Sequence, residues 1–230
     1  MVEMNYREII KRLREHSNRA NVKGMARFGI NPKNTLGVSV PILRKMGREI
    51  GTDHKLALQL WRSGIHEARI LASMIDDPTE VSPSQMEAWA KDFDSWDVCD
   101  QCCMNLFDKT TYAHRKAAEW ASRKAEFVKR AGFALMASLS VHDKKASDAQ
   151  FELYLPLIER ESDDDRNFVK KAVNWALRQI GKRNERLNRA AIARARRIQK
   201  SESRAARWIA TDAIKELTSE AVREKLRENR

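Results

Sequence analysis

A carboxylate and an indole ring stand four residues apart in the segment Asp94–Asp100. If that segment is helical, Trp96 and Asp100 are neighbours on one face of the helix. A carboxylate in this position can stabilise developing positive charge, and the face of an indole attracts a cation. An ordinary structural interpretation also exists, in which Trp96 belongs to the core and the nearby acids cap the helix. For Asp100 alone, the structural interpretation is the better one.

A second aromatic residue stands between cations in the segment Phe168–Arg178. Apolar residues recur there at three- and four-residue steps, which predicts an amphipathic helix. Lys171, Trp175 and Arg178 follow one another at i, i+4 and i+7 on a different face. An aromatic ring flanked by cations suits a negatively charged partner. A tryptophan at the edge of the core, with solvated charges around it, explains this helix equally well.

The sequence at the beginning of that helix is repeated at Phe127–Ala131, forty-one residues earlier. The alignment of the two segments pairs Arg130 with Lys171. Looser copies lie at His66–Ala72 and Ser203–Ala210. A helical unit that recurs at roughly 40–47 residues is typical of HEAT and armadillo repeats, whose stacked helix pairs form a curved array with a concave binding face. We therefore predict an all-α protein, an α-α superhelix that forms a right-handed solenoid with Trp175 on its concave side.

The charge balance indicates the kind of partner. The chain has 44 Lys and Arg against 32 Asp and Glu, a net charge of +12 and a pI near 9.8. That excess suits a polyanion, either nucleic acid or an anionic membrane face. No apolar run approaches the roughly 20 residues of a membrane span. The polar start, Met1–Glu8, is unlike a secretory signal, so the sequence predicts a cytoplasmic protein.

Helix signals follow one another along the whole chain, and no linker rich in Gly, Ser or Pro divides it, so we predict one domain over residues 1–230. The most irregular part is Asn18–Val40. Ser82 and Gln85 are predicted to form a capping box, and Phe151–Glu159 a single helix. The acids at Asp163–Asp165 are expected to favour the N-terminus of the Phe168 helix.

Three cysteines cluster at Cys99, Cys102 and Cys103, and the sequence contains no fourth. A structural zinc site usually shows two separated pairs of ligands, and a cytosolic chain rarely forms disulfides. In a helical pattern, cysteine commonly behaves as a small buried hydrophobe. We predict neither a metal site nor a cofactor.

Four motifs together resemble the AlkD-type alkylpurine DNA glycosylases, which are HEAT-like repeat DNA alkylation repair enzymes. Their order and approximate spacing agree, and the resemblance runs through most of the chain. The chain departs from the family in its polar connection Val141–Ala149, which is longer than expected, and in its N-terminal helices. The motifs are Met25–Phe28 with Leu36–Val38 and Pro41–Arg44, then Trp96–Asp100, Phe127–Ala131 and Phe168–Arg178.

The resemblance implies that Asp100 is the catalytic carboxylate, that Trp96 and Trp175 are aromatic walls, and that Arg130 grips a phosphate. It also implies an enzyme that acts without enclosing the base in a pocket. Lys171 can hold a flanking phosphate beside Arg130, and Arg178 extends the same cationic face. On this interpretation Trp96, Asp100, Arg130, Lys171 and Trp175 converge on one electropositive cleft, and the partner is double-stranded DNA bound by a monomer.

The chemistry of the lesion fits this set of residues. An N3- or N7-alkylated purine is cationic, and cleavage of its glycosidic bond passes through a sugar with oxocarbenium-like charge, as in glycosidases. Asp100 can stabilise that charge and orient a water, and the two indoles can face the cationic nucleoside. No motif places a lysine as a Schiff-base nucleophile, so hydrolysis without strand cleavage is expected.

Two other classes of function explain the charge or the repeats. A HEAT-like scaffold that binds nucleic acid without chemistry accounts for both. What separates it from an enzyme is the combination of Trp96, Asp100, Arg130 and Trp175, which a scaffold has no need to keep. A protein–protein adaptor accounts for the repeats, but the net charge of +12 argues against it.

Overall fold

The computed structural model describes residues 5–228. The polar start at Met1–Met4, which contributes to the argument against a secretory signal, lies outside them. Within the described range every regular element is a helix, which confirms the all-α class, and none of these helices is long and apolar enough to cross a membrane. A 3₁₀ turn follows α7 at Phe107–Lys109. The α-helices are α1 Tyr6–Glu15, α2 Arg19–Arg27, α3 Val40–Ile50, α4 His54–Arg62, α5 His66–Ile75, α6 Pro83–Lys91, α7 Trp96–Asn105, α8 Ala113–Ala121, α9 Glu126–His142, α10 Asp148–Glu152, α11 Tyr154–Arg160, α12 Asn167–Gly181, α13 Glu185–Ile198, α14 Arg204–Leu217 and α15 Glu220–Glu228.

The helices group into two compact units that divide between Thr110 and Thr111. The N-terminal unit holds α1–α7, and the C-terminal unit holds α8–α15. The prediction of a single domain stays a prediction.

In the N-terminal unit, α5 is the central helix and packs against α3, α4 and α7. Eight of its ten residues are buried, as expected for a helix covered on most sides. An aromatic cluster fills the side nearer α6, where the rings of Trp61 and Trp89 stack with centroids 3.9 Å apart. This core fixes α5 and α7, which carry the side chains of interest in this unit.

In the C-terminal unit, the two similar segments that begin at Phe127 and Phe168 lie on neighbouring helices. α9 packs against α12, and α12 packs against α14. The rings of Phe127 and Phe168, which the sequence aligns as equivalent, lie 5.6 Å apart between centroids. Hydrogen-bonded partners on successive helices lie 38 residues apart in the sequence, as in the pairs Arg130 with Phe168 and Asn174 with Asp212. The repeat recognised in the sequence is therefore a stack of successive helices.

Several helix boundaries follow local signals. Asn5 and Glu8 form a complete capping box on α1, Asp53 caps α4, and Ser203 caps α14. Gly51 ends α3 with a φ of +79°, a conformation that favours glycine.

Two local predictions need correction. Ser82 accepts a hydrogen bond from the Gln85 backbone, but the Gln85 side chain reaches Asp76 instead of closing a capping box. The predicted helix Phe151–Glu159 is two helices, α10 and α11. Because α11 begins at Tyr154, Pro156 lies in its first turn, where no intrahelical N–H is needed.

One of the acids that precede α12 has partners that the sequence did not indicate. The Asp164 carboxylate binds the Lys129 ammonium of α9 at 3.1 Å and the Arg166 guanidinium at 2.6 Å. Arg166 comes first among the causes that lower the pKa of Asp164 to about 2, ahead of Lys129. This acid therefore joins α9 to the segment that leads into α12, and the interaction of these acids with the dipole of α12 stays a prediction.

Candidate functional site

Trp96 and Asp100 lie one turn apart at the beginning of α7, as the sequence predicts. The indole Nε1 of Trp96 donates a hydrogen bond of 3.1 Å to the carbonyl of Phe28, at the end of α2. The backbone N–H of Asn31 donates to Ser95 Oγ at 2.9 Å, so the chain after α2 is tied to the start of α7 at two points. Asp100 is buried, with 8% of its surface exposed.

These two side chains line a cavity of about 670 Å³ within the N-terminal unit. One wall is α2 with the following Phe28, a second is the stretch from Gly37 to Val40, and the third is one face of α7 from Trp96 to Met104. Its size falls in the range of small-molecule sites, and most of its lining is apolar, with a few polar groups. Sequence reasoning missed this cavity, although the broken segment Asn18–Val40 contributes much of its wall.

A buried carboxylate holds the second wall in place. Glu67 of α5 has no exposed surface and accepts hydrogen bonds from the backbone N–H groups of Leu36, Gly37 and Val38, at 2.9, 2.6 and 3.2 Å. Gly37 has a φ of +79°, and a Cβ there would lie 2.2 Å from the carbonyl oxygen of Asn18. Only glycine fits this approach, so the loop follows one path over α5.

An ion pair joins the first turn of α7 to α5, and its acid, Asp97, also lines the cavity. His66 Nε2 lies 2.9 Å from Asp97 Oδ2, and the His66 ring is almost fully buried. Burial by itself lowers the pKa of this histidine, but the hydrogen bond to Asp97 and the charges of Glu67 and Asp94 outweigh it and raise the pKa. The structural interpretation of the sequence assigned the acids near Trp96 no role beyond capping the helix. The contact with His66 corrects that view, because Asp97 stabilises the helix that carries Asp100.

In the C-terminal unit, Arg130 of α9 is buried, with 6% of its surface exposed. Its Nη1 donates a hydrogen bond of 2.6 Å to the carbonyl of Phe168, so the guanidinium lies against the N-terminal turn of α12. The neighbouring Lys129 is also buried and binds Glu161 at 2.6 Å. The predicted phosphate contact of Arg130 stays a prediction, and its guanidinium already joins two repeats.

Lys171 and Trp175 lie on α12 as the spacing predicts. Lys171 is exposed, Trp175 is half-buried, and the apolar face of the helix is in the core. The preceding Lys170 places its ammonium 5.2 Å from the ring centroid of Trp208 on α14, a cation–π contact that sequence reasoning did not identify.

Arg178 lies among acids that the sequence analysis did not connect with it. Its Nη1 donates to Glu216, and its Nε is 3.7 Å from Asp212. Lys182 binds the same Glu216 at 2.6 Å. Burial raises the pKa of Glu216, but the hydrogen bonds from Lys182 and Arg178 outweigh that effect and lower it. Much of the Arg178 charge is therefore balanced within the protein, and its predicted role in DNA binding is not tested by this contact.

The predicted site residues thus divide into two sets, each described within its own unit. Trp96 and Asp100 share a cavity wall in the N-terminal unit. Arg130, Lys171 and Trp175 lie on adjacent helices of the C-terminal unit, and Arg178 lies farther along α12. Convergence of the two sets on one cleft stays a prediction.

The cysteines line no site. Cys99, Cys102 and Cys103 are buried thiols outside any disulfide, and burial raises the pKa of Cys102 and Cys103. Among residues 5–228, no three His, Cys, Asp or Glu side chains gather as a metal ion would require.

The fold and the site together define a class of protein: a helical-repeat protein that carries a carboxylate and an indole on one wall of a cavity. The chain belongs to the DNA alkylation repair enzyme family, whose model matches residues 9–217. No curated protein matches the chain.

Among solved structures, one covers 91% of this chain and 94% of its own, at 18% identity and a TM-score of 0.77. It is described as a new family of proteins related to the HEAT-like repeat DNA glycosylases, with affinity for branched DNA structures. The similarity confirms the HEAT-like repeat fold. A designed armadillo repeat protein in complex with a peptide shares 14% identity over 81% of this chain and 79% of its own, at a TM-score of 0.40, which is too distant to bear on function.

Proposed function

We propose that this protein is a monofunctional DNA glycosylase that hydrolyses the N-glycosidic bond of N3- and N7-alkylated purines in duplex DNA. The observation that carries the proposal is the placement of Asp100 beside Trp96 on the wall of a cavity, in a chain of the DNA alkylation repair family. The reaction needs water and no cofactor. We also propose that the protein acts on DNA as a monomer in the cytoplasm and that residues 1–230 form one domain.

Asp100 supplies the electrostatic part of the reaction. As the bond between the cationic purine and the sugar breaks, positive charge moves onto the sugar, and a nearby carboxylate stabilises it. The same carboxylate orients a water that attacks the sugar carbon, and the purine leaves as a neutral base. The burial of Asp100 strengthens this effect, because charges interact more strongly away from bulk water. No lysine is assigned a covalent role, so the strand is not cut.

The remaining residues bind and orient. Trp96 and Trp175 present ring faces to the cationic nucleoside, each contributing about 1–2 kcal/mol when desolvated. Arg130 and Lys171 hold backbone phosphates, which position the duplex without reading its sequence. Arg178 adds to this phosphate-binding surface, although Glu216 and Asp212 balance part of its charge.

A second candidate is a DNA-binding protein without glycosylase activity. The observation in its favour is the solved structure of similar fold, which is described by an affinity for branched DNA. Both candidates account for the positive charge and the helical repeats, so DNA binding alone does not separate them.

Base release separates the two candidates. Duplex DNA that carries 7-methylguanine or 3-methyladenine is incubated with excess protein, and free base and strand breaks are measured separately. The proposed enzyme releases the alkylated base and leaves an unbroken abasic strand. Binding without base release would support the second candidate, and strand cleavage without added base or heat would contradict the assignment of hydrolysis alone.

A further inference from the structure

Most of the net positive charge of the chain lies in one short segment of the C-terminal unit. Residues 182–207 contain ten Lys and Arg and two acids, a net charge of +8, whereas the whole chain has a net charge of +12. Eight of these ten cations are arginines, whose planar fork of donors matches phosphate oxygens. The cations assigned to the proposed site, Arg130, Lys171 and Arg178, lie outside this segment. The proposed function therefore leaves the charge of the segment unexplained.

The helix α13 carries the centre of this segment and has two opposite faces. It packs against α12 and α14 with a buried apolar face, which consists of Leu187, Ala191, Ala195 and Ile198. The opposite face is exposed and bears cations along the length of the helix. We call this exposed face, together with the lysine that follows the helix, the α13 stripe; it consists of Arg186, Arg189, Ala193, Arg196, Arg197 and Lys200.

The cations of the α13 stripe are only weakly balanced by acids. Arg196 and Lys200 have no ion pair among residues 5–228. Arg186 and Arg197 each bind one glutamate of a neighbouring helix, at 2.9 and 3.1 Å, but 63% and 66% of their side chains are exposed. Ion pairs as exposed as these contribute little, and a guanidinium has five N–H donors, so donors are left for a further partner.

A small cavity lies where α13 begins, and it extends the cationic surface. Arg189 of the stripe lines it together with Arg223 and Arg227 of α15, and its volume is about 350 Å³. Glu185 is the one acid of its lining, so three arginines stand against one carboxylate. This arrangement attracts an anion the size of a backbone phosphate.

The dimensions of the α13 stripe indicate an extended polyanion. From Arg186 to Arg197 the stripe runs for roughly 16 Å along the helix, and a duplex of that length carries about nine phosphate charges. An anionic membrane is the other extended partner, but a helix that lies on a membrane inserts its apolar face. The apolar face of α13 is already buried in the protein. In a chain of a DNA repair family, the observations therefore favour the backbone of duplex DNA.

We propose that the α13 stripe binds the backbone of a second DNA segment while the proposed site engages the first. Because α13 turns its apolar face toward α12, the stripe points away from the helix that carries Lys171 and Trp175. One chain therefore holds two segments of DNA at once. This activity goes beyond the proposed function and requires no release of a base.

The centre of the stripe is an alanine, which allows a matched set of variants. Ala193→Glu places a carboxylate one helical turn from Arg189 on one side and from Arg196 on the other, so it balances both cations. Ala193→Gln adds a side chain of similar size without the charge. Ala88→Glu makes the same change of net charge at an exposed position of α6. Glutamate and glutamine are good helix formers, so we expect unfolding midpoints close to that of the wild type for all three variants.

The test measures whether one chain joins two duplexes. Two short duplexes without alkylated bases, one with a donor fluorophore and one with an acceptor, are mixed with the full chain at low salt. Energy transfer rises as chains join a donor duplex to an acceptor duplex. It falls again when excess protein provides a separate chain for each duplex. We expect this rise and fall for wild type, Ala193→Gln and Ala88→Glu, with one chain in each complex by sedimentation.

For Ala193→Glu we expect the second duplex to bind more weakly on the order of tenfold, because a like charge then faces the phosphates. The salt slope of that binding step should fall by about 1 for each phosphate contact that is lost. The duplexes contain no alkylated base, so a protein without glycosylase activity gives the same result.

Several results would overturn the inference. These are the absence of energy transfer with the wild type, equal transfer for Ala193→Glu and Ala193→Gln, or an equal loss in Ala88→Glu. Two chains in each complex, with one duplex on each chain, would also contradict it. Binding of the wild type to vesicles of phosphatidylserine and phosphatidylcholine, lost in Ala193→Glu while duplex bridging is unchanged, would assign the stripe to a membrane instead.

Discussion

The two units of the protein use their charges in different ways. From Thr111 onward the chain has 28 Lys and Arg against 17 Asp and Glu, whereas the residues before it have 16 against 15. In the C-terminal unit many cations are paired with acids of the next repeat, such as Lys129 with Glu161 and Arg178 with Glu216. The N-terminal unit also holds ion pairs, such as Arg12 with Glu49, but it contains a stretch around α2 that has no acid. Net charge alone therefore does not locate the surface that meets DNA.

The units also differ in the space around their helices. α8 and α9 of the C-terminal unit approach so closely at Gly132 that a Cβ there would lie 2.4 Å from the backbone nitrogen of Ala121. In the N-terminal unit, a Cβ at Gly24 has open space on the cavity side of α2. At these two positions, therefore, one glycine permits close helix stacking and the other borders open space.

The largest expected effect on stability follows from this contrast. Gly132→Ala places a methyl group against backbone that cannot rotate away, and overpacking typically costs about 1–3 kcal/mol and occasionally more; contact with backbone puts this site at the upper end. Gly24→Ala should be neutral or stabilise by up to about 1 kcal/mol, because alanine is the better helix former. Urea denaturation of both variants measures the difference. Equal stability of the two variants would mean that the close approach of α8 and α9 has been misread.

The second largest expected effect on stability concerns Glu67, which holds the loop Leu36–Val38 in place. Glu67→Gln removes the charge from a carboxylate that three backbone N–H groups contact and turns one of its oxygens into a donor. Hydrogen bonds to charged groups contribute about 1.5–3 kcal/mol, so we expect a loss of roughly 2–3 kcal/mol in urea denaturation. Glu80→Gln makes the same chemical change at an exposed position and is the control. Indistinguishable stabilities for Glu67→Gln and Glu80→Gln would show that the loop is held by other contacts.

The smallest expected effect depends on pH and concerns His66 and Asp97. Because the folded state raises the pKa of His66, the ion pair contributes fully below the ordinary histidine pKa of about 6.5, and the contribution is lost as pH rises through the folded value. At pH 6, Asp97→Asn should cost roughly 1.5–2 kcal/mol, the lower part of the range for a hydrogen bond to a charged group, because an asparagine oxygen can still accept from the ring.

The same variant should approach the wild type in stability as pH rises through the raised pKa of His66, and urea denaturation at several pH values measures the trend. A difference that stays constant from pH 6 to pH 9 would show that His66 does not change its charge in this range.

Local signals made most of the helices and the Trp96–Asp100 pair predictable. Periodicity, caps and the four-residue spacing all act within one turn or one helix, and the repeat near Phe127 and Phe168 identified the neighbours α9 and α12. The cavity could not be predicted, because its wall depends on Glu67 reaching back about thirty residues to Gly37. The Arg178–Glu216 contact also joins distant residues, but it spans 38 positions, so the repeat period is a signal that could have found it.

The central claim is that the Asp100 carboxylate stabilises the charge that forms on the sugar, and single-turnover release of 7-methylguanine tests it most directly. Asp100→Asn keeps the size of the side chain and removes its charge, so we expect DNA affinity close to that of the wild type. Loss of one well-placed electrostatic stabiliser commonly costs about 10²–10³ in rate, with spontaneous depurination as the lower limit.

Glu80→Gln, which removes an exposed charge from the same unit, should release the base at the wild-type rate. Asp97→Asn should do the same wherever it is fully folded. The account predicts a slow step confined to Asp100→Asn with binding intact, and equal rates for Asp100→Asn and wild type would contradict it.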